Sequence, residues 1–120
     1  SDWLTKDEAI INTCIHHPWS TFRFTVNGYY QMFRGIQYIQ NPAHIQQIPK
    51  NLPLFFVAGG DDPVGNNGKS VTQVCQQYKA AGIQDVQIKL YPGDRHEILN
   101  ETDRDVVYAD LLTWLNGHLA

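Results

Sequence analysis

The sequence is poor in cysteine, and it lacks both a long apolar run and a recognisable targeting segment. Its two cysteines, Cys14 and Cys75, lie far apart and without the spacing of metal ligands. A disulfide framework is therefore not expected, and two reduced, buried thiols suit a reducing cytoplasm. No run approaches the roughly 20 apolar residues that a spanning helix requires, and the N-terminus has no basic start followed by an apolar stretch. These absences predict a cytoplasmic protein without a membrane span.

Charge of either sign is sparse and scattered along the chain. The net charge is -3 and no cluster of lysine and arginine is present, whereas nucleic acid and anionic membranes are bound by such clusters. His16, His17, His44 and His118 do not share the spacing of metal ligands. We therefore expect no nucleic-acid partner, no metal and no cofactor.

What is present is the composition of one folded domain, since 42% of the 120 residues are hydrophobic and 18% are charged. Residues 1–50 are predicted to be mainly helical. Thr5 and Glu8 have the spacing of a capping box, which predicts a helix over residues 5–15. Residues 16–28 are broken by proline and glycine and predict an aromatic loop.

Apolar side chains then recur at three- and four-residue steps over residues 29–39. This spacing predicts a second helix that ends before Pro42, with one short turn of helix in residues 43–48. Where aromatic residues are as frequent as in this part of the chain, they more often belong to the core than line an acyl pocket. The residues for which we favour the core are Trp19, Phe22, Phe24, Tyr29, Tyr30 and Phe33.

Residues 51–120 have the pattern of a βαβα unit. The apolar run 54–58 is typical of a parallel strand that is covered on both faces. The alternating segment 86–91 predicts a second strand. Between them, helical spacing over residues 70–81 is followed by Gly82, which suits a left-handed helix end.

A final amphipathic helix follows Thr102, which has Asp105 three residues later in the manner of a short capping box. The order strand, helix, strand, helix predicts parallel pairing with a right-handed crossover. The fold class is therefore α/β, with two parallel strands and flanking helices.

The strand at residues 54–58 is apolar enough to need a neighbour on each edge, yet the sequence supplies one other convincing strand. Two strands are also too little sheet for independent stability unless other parts cover them. One alternative is a third strand in residues 20–26. Another is an interaction domain that forms a homo-oligomer by pairing the open edge with its twin or with another polypeptide.

The loops that follow the two strands are predicted to hold the functional site. Parallel strands end at the same edge of a sheet, where open α/β sheets place their ligands. Asp62 and His96 are 34 positions apart in sequence, but this topology brings them together. A carboxylate that orients an imidazole is the arrangement required for proton transfer. Asp62 and His96 are therefore the candidate catalytic residues.

Other polar residues of these loops are given lesser roles. Asp61 and Asp94 are predicted to be solvated loop acids. Glu97, Asn100 and Glu101 are predicted to brace the loop of the histidine. A rival hypothesis is that the acidic pair at residues 61–62 holds Mg²⁺, as in a phospho-accepting receiver domain. The absence of a lysine after a later strand disfavours it.

Residues 59–65, Gly-Gly-Asp-Asp-Pro-Val-Gly, resemble the Gly-x-x-Asp-Pro-Val loop of cytoplasmic α/β-hydrolases of the lysophospholipase and monoacylglycerol-lipase type, which are serine aminopeptidase-like. Residues 91–101 resemble the family's Tyr-x-Gly-x-x-His-Glu-x-x-Asn-Glu segment. Residues 3–5 and 28–33 resemble the end of the family's cap region and the helix after it. The resemblance implies that residues 1–50 are cap-derived, that 51–120 are the C-terminal part of the hydrolase sheet, and that Asp62 and His96 are the acid and the base.

The family's Gly-x-Ser-x-Gly nucleophile elbow precedes the acid and the base in chain order. None of Ser1, Ser20 and Ser70 has that context. The resemblance therefore implies a C-terminal fragment that begins within or just after the cap and is inactive alone. In the intact enzyme it implies acyl transfer on lipophilic esters such as monoacylglycerols or lysophospholipids. If the chain is a complete gene product, a remnant or interaction role gains weight instead.

Overall fold

The structure is a computed structural model that describes residues 2–20 and 22–119. It contains five α-helices, two strands and two short 3-10 turns within that part of the chain. The helices are α1 Glu8–His16, α2 Val26–Ile39, α3 Pro42–Ile45, α4 Lys69–Ala80 and α5 Arg104–His118, the strands are β1 Leu54–Gly59 and β2 Val86–Tyr91, and the 3-10 turns are Pro18–Ser20 and Ile98–Asn100.

The two strands form a parallel sheet, as the sequence predicts. Leu54 pairs with Val86 and the register continues to Gly59 and Tyr91. The two faces of β1 are covered by different helices. Phe55 stacks on Trp114 of α5, with ring centroids 5.5 Å apart, and Phe56 meets Tyr78 of α4 edge to face at 5.4 Å. Helix, sheet and helix thus form three layers.

Each side of the sheet has its own apolar cluster. On the α4 side, Cys75, Ile83 and Val86 are buried together. On the α5 side, the buried members are Tyr91, Ile98 and Val107. Ile98 belongs to the 3-10 turn that follows His96, so the second cluster lies directly behind the loop of the candidate site.

The end of α4 and the starts of α1 and α5 can be compared with the helix ends predicted from the sequence. Gly82 has the predicted left-handed φ of 91° at the end of α4. The capping-box prediction at Thr5 is wrong, because Asp7 caps α1 through bonds to the amides of Ala9 and Ile10. The predicted box at Thr102 is also wrong, since α5 is preceded by Asp103 and has no side-chain cap.

The region between α1 and α2 is shorter than predicted. Thr25 caps α2 by accepting a hydrogen bond from the amide of Gly28, so α2 begins at Val26. The loop predicted over residues 16–28 is therefore shorter at both ends, because His16 belongs to α1 and residues 26–28 belong to α2. The third strand considered for residues 20–26 is wrong over 22–26, which are irregular or helical. Thr21, also within that range, lies outside the described residues.

The aromatic residues predicted to be core are instead exposed, and α2 buries none of its residues. Their apolar surface is large, but none of the described elements lies over it. Those six residues are Trp19, Phe22, Phe24, Tyr29, Tyr30 and Phe33. Both cysteines are free, but Cys14 is half-buried whereas Cys75 is buried; the prediction of two buried thiols is thus wrong for Cys14.

Within the described ranges β1 has β2 as its one strand neighbour, so its other edge is unpaired. The helices of residues 2–20 and 22–119 include none that is long and apolar enough to cross a membrane.

Candidate functional site

The two loops at the carboxyl edge of the sheet are joined through their backbones. The amide of Gly60 donates to the carbonyl of Tyr91 at 2.7 Å, and the amide of Asp61 donates to the carbonyl of Asp94 at 2.9 Å. Gly59 allows this approach, because a side chain there would overlap the backbone of Asp94 and Arg95. The loop that carries Asp62 and the loop that carries His96 are therefore held against each other by backbone hydrogen bonds.

Asp62 uses its two carboxylate oxygens for two different purposes. Oδ1 accepts from the amide of Val64 at 2.9 Å, which shapes the turn around Pro63. Oδ2 lies 3.0 Å from Nδ1 of His96. The turn-forming role and the pairing role were alternatives in the sequence, and the structure places both on the same carboxylate.

The predicted proximity of Asp62 and His96 is confirmed. Asp62 is 6% exposed, and the His96 side chain keeps 39% of its surface open. The bond to Asp62 assigns a proton to Nδ1 in the neutral imidazole, which leaves Nε2 as the atom with a free electron pair. The buried acid thus orients an imidazole whose other nitrogen is available as a base.

A tight turn connects the acid loop to α4. Asn66, Asn67 and Gly68 have φ values of 53°, 50° and 80°. Asparagine and glycine are the residues that enter this left-handed region most readily. The amide of Asn67 donates to the carbonyl of Asp62 at 2.9 Å, so the turn also supports the backbone of the acid.

An open cleft of about 390 Å³ lies beside the pair. Its walls are mostly apolar side chains from β1 and α4, together with the carboxyl group of Asp62 and the imidazole of His96. The residues that matter for its chemistry are Phe56, Val57, Asp62, Val71, Val74 and His96. A cleft of this character suits an apolar substrate group next to a proton-transfer pair.

Asp94 was predicted to be a solvated loop acid, and this is wrong. Its side chain is fully buried, and its Oδ1 lies 2.7 Å from Nζ of Lys6. Burial raises the pKa of Asp94 above its ordinary value, although the bond to Lys6 opposes the shift. The same bond raises the pKa of Lys6. Asp61 is exposed, as predicted.

The predicted bracing of the histidine loop is confirmed by hydrogen bonds. Glu101 is fully buried and accepts from the amide of Arg95 at 2.7 Å. Asn100 donates from its side chain to Glu97 at 2.8 Å. Sequence reasoning missed the other half of this network, Thr5 and Lys6, because their partners are about 90 residues away and no local pattern marks them.

Tyr91, the last residue of β2, connects the sheet to α5. Its hydroxyl lies 3.0 Å from Oδ2 of Asp110. Burial, followed by this bond, raises the pKa of Tyr91 to about 12. Tyr91 is therefore neutral at physiological pH and acts as a structural donor between β2 and α5.

Within the described part of the chain, no serine hydroxyl is hydrogen-bonded to His96. Ser70 lines the same cleft from the first turn of α4, and Ser20 accepts from the thiol of Cys14 at 3.7 Å. Ser1 lies outside the described residues. The described residues also contain no group of three or more potential metal ligands.

Comparison with known proteins identifies the relatives of this chain. The family model described as serine aminopeptidase, S33, matches residues 1–103. The monoglyceride lipase of Saccharomyces cerevisiae is 34% identical over 92 residues, which are 72% of this chain and 28% of that protein. The monoacylglycerol lipase of Mycolicibacterium smegmatis is 34% identical over 70 residues, 56% of this chain and 22% of that protein. The chain thus spans about a quarter of the length of these curated relatives.

Solved structures show the same relationship. A thermostable carboxyl esterase from Bacillus coagulans superposes with a TM-score of 0.88 at 30% identity, over 98% of this chain and 38% of that chain. A soluble variant of the Saccharomyces cerevisiae monoglyceride lipase superposes with a TM-score of 0.74 at 24% identity, over 98% and 41%, and it bears on the fold alone. The sheet, the flanking helices and the family match agree, and the chain belongs to the serine aminopeptidase S33 family of α/β-hydrolases.

Proposed function

We propose that Asp62 and His96 are the acid and base of a Ser-His-Asp triad in a hydrolase of lipophilic carboxylic esters. The observation that carries this proposal is the 3.0 Å bond between Asp62 Oδ2 and His96 Nδ1 at the carboxyl edge of the sheet. The partly open imidazole and the apolar cleft beside it support the same assignment. The relatives named as monoglyceride and monoacylglycerol lipases favour monoacylglycerols or lysophospholipids as the substrate class.

In the proposed mechanism, Nε2 of His96 takes the proton of a serine hydroxyl as that oxygen attacks the ester carbonyl. Asp62 holds the imidazole in the tautomer with a proton on Nδ1 and stabilises the imidazolium that forms. His96 then gives the proton to the departing alcohol. Water, activated by the same base, releases the carboxylic acid and restores the serine.

The serine nucleophile and the oxyanion donors are proposed to come from a part of the hydrolase outside these 120 residues. In α/β-hydrolases the serine precedes the acid and base in chain order, within a Gly-x-Ser-x-Gly elbow, and the three serines of this sequence lack that context. Residues 1–50 are assigned to the cap end and its following helix, and 51–120 to the C-terminal sheet unit. The free cysteines favour a reducing compartment, the cytoplasm.

The first experiment treats the 120-residue chain with a fluorophosphonate, which traps activated serines, and reads its intact mass. The same chain is assayed with a short p-nitrophenyl ester. The expected result is no adduct and no turnover. An adduct on Ser1, Ser20 or Ser70 would contradict this account of the nucleophile.

The second experiment supplies the rest of the fold. A chimera joins this chain to the region of the Bacillus coagulans esterase that lies outside the superposed part. Hydrolysis of p-nitrophenyl butyrate and of a monoacylglycerol is the expected gain. Asp62→Asn should lower kcat by about 10⁴-fold, as loss of the orienting acid does in serine hydrolases. Asp61→Asn, the matched change at the exposed neighbour, should keep the activity; equal effects of the two changes would sink the assignment.

A second candidate function is favoured by the open edge of β1 and by the exposed aromatic face of α2. Unpaired strand edges and large apolar patches are common interaction surfaces. In this case the chain is a non-catalytic interaction domain that pairs with its twin. Sedimentation of the isolated chain should show a dimer or larger assembly, whereas a well-folded monomer at high concentration would exclude this candidate.

A further inference from the structure

The residues in front of α1 lie across the loop that carries His96. The amide of His96 donates to the carbonyl of Trp3 at 3.2 Å, and the amide of Glu97 donates to the carbonyl of Leu4 at 2.8 Å. The ring of Trp3 also lies against the imidazole, with centroids 5.0 Å apart. We call residues 2–6 the strap. Because the two amides flank the α carbon of His96, the strap fixes the backbone from which the imidazole projects.

Glu101 connects the strap to the histidine loop from the buried side. Its side chain is 0% exposed. Oε1 accepts from the amide of Arg95 at 2.7 Å. Oε2 accepts from the hydroxyl of Thr5 and from the amide of Lys6, each at 2.9 Å. All three groups are donors, so the carboxylate acts as an acceptor throughout, which is the role that an ionised glutamate fills best.

Thr5 is the strap residue that binds this carboxylate through its side chain. It is 0% exposed, and its hydroxyl proton is shared between Glu101 Oε2 and the carbonyl of Asn100, which lies 3.0 Å away. The same oxygen accepts from the amide of Asp7 at 3.0 Å. Loss of the Glu101 carboxylate would remove the partner of the Arg95 and Lys6 amides, and loss of the Thr5 hydroxyl would remove one of the two partners of Glu101 Oε2.

A second contact extends the network to the acid loop. Lys6 reaches Asp94 Oδ1 at 2.7 Å, and the carbonyl of Asp94 accepts from the amide of Asp61, the neighbour of Asp62. The strap therefore contacts the histidine loop directly and is linked to the loop of Asp62 only through the backbone of Asp94. Glu101 is the buried group that binds Thr5 and Lys6 at the end of the strap. The donors to the side-chain carboxylate of Glu101 all belong to the strap or to the loop of His96.

We propose that Glu101 is a positioning residue that holds His96 where its Nδ1 meets Asp62. It acts through the amide of Arg95 and through Thr5 and Lys6 of the strap. The inference rests on the proposed role of His96 as the base. It assigns a task to a carboxylate that the proposed mechanism does not use, and it explains why a charged side chain is fully buried behind the site.

The test compares variants by the tautomer of His96 in the ¹⁵N-labelled chain, read from long-range ¹H–¹⁵N correlations. Glu101→Gln keeps the shape of the side chain but places an amide group opposite the donors. Thr5→Val removes the hydroxyl, and Thr5→Ser restores it. Glu8→Gln makes the same chemical change as Glu101→Gln at an exposed position. Circular dichroism and thermal unfolding establish that each variant is folded.

Glu101→Gln and Thr5→Val are expected to reduce the share of His96 with its proton on Nδ1, whereas Thr5→Ser and Glu8→Gln keep the native share. In the chimera described above, Glu101→Gln should lower kcat by about ten- to a hundred-fold and leave KM unchanged, because a small displacement of the base affects the chemical step.

A folded Glu101→Gln chain with the native His96 signals would overturn the proposal. If that variant does not fold, the threonine pair decides: identical His96 signals in Thr5→Val and Thr5→Ser would also overturn it. An inactive chimera of native sequence would count against the proposed function, while the tautomer comparison would still decide the role of Glu101.

Discussion

Gly59, the last residue of β1, lies directly against the carbonyl oxygen of Arg95. A β carbon at residue 59 would overlap that oxygen and the carbonyl of Asp94. Both obstacles are backbone atoms of the loop that carries His96, so neither can turn away as a flexible side chain would. The separation of the loops that carry Asp62 and His96 is therefore set by the absence of a side chain at this position.

Gly59→Ala should displace the histidine loop and destabilise the fold. Overpacking against backbone costs about 3 kcal/mol, the upper end of the usual range for such changes. Chemical denaturation gives the free energy of unfolding, and the NMR signals of His96 report on the loop. Gly117→Ala is the matched control, since open space surrounds residue 117 within α5; it should stabilise by roughly 0.5–1 kcal/mol. Equal stabilities for the two variants would contradict the contact.

Val107 is the centre of the apolar cluster behind the histidine loop and is 0% exposed. Val107→Ala removes two buried methyl groups and leaves a cavity, so the free energy of unfolding should fall by about 2 kcal/mol. Val106→Ala makes the same change at an exposed neighbour on α5 and should alter it by less than about 0.5 kcal/mol. If Val106→Ala proved the more damaging of the two, the orientation of α5 would be wrong.

His118 and Asp85 tie the end of α5 to the start of β2, with Nε2 and Oδ2 2.7 Å apart. The bond from Nδ1 to the carbonyl of Trp114, followed by the bond to Asp85, raises the pKa of His118 above 6.5. The bond to His118, followed by one from Gln87, lowers the pKa of Asp85 below 3.8.

These directions define a pH window. The contribution of His118 is fully present below pH 6.5 and is lost as the pH rises through its raised pKa. The contribution of Asp85 is present above pH 3.8 and is lost as the pH falls through its lowered pKa. The pair should therefore stabilise the end of α5 most between those two values. Asp85→Asn should lower the pKa of His118 in an NMR titration, and Asp105→Asn, an exposed change on α5, should not. An unaltered His118 titration in Asp85→Asn would refute the pair.

The βαβα half of the fold could be predicted from the sequence because its signals are local. The apolar run of β1, the alternation of β2 and the glycine at residue 82 each depend on neighbouring residues. Their parallel arrangement then follows from chain geometry and brings Asp62 and His96 to one edge. This is why the proximity of a pair separated by 34 positions can be predicted from the sequence.

The polar interior of the site could not be predicted, because its contacts are long-range. The residues around Thr5 predict that it caps a helix, yet its hydroxyl donates a hydrogen bond to Glu101, 96 positions away. Asp94 has the sequence context of a loop acid, yet its side chain is fully buried and pairs with the partly exposed Lys6. The exposed aromatic residues, such as Phe24 and Phe33, show a second limit of prediction from sequence. Hydrophobicity predicts that a side chain is buried, but it does not indicate which surface covers it.

The measurement that tests the central claim most directly is the tautomer of His96 in the native chain and in Asp62→Asn. If Asp62 orients the imidazole, long-range ¹H–¹⁵N correlations of the neutral ring should show the proton on Nδ1 and the free electron pair on Nε2. Asp62→Asn should shift the proton toward Nε2, and Asp61→Asn should leave the native pattern. A native ring protonated on Nε2, or a pattern that Asp62→Asn does not change, would contradict the claim that these residues form a catalytic pair.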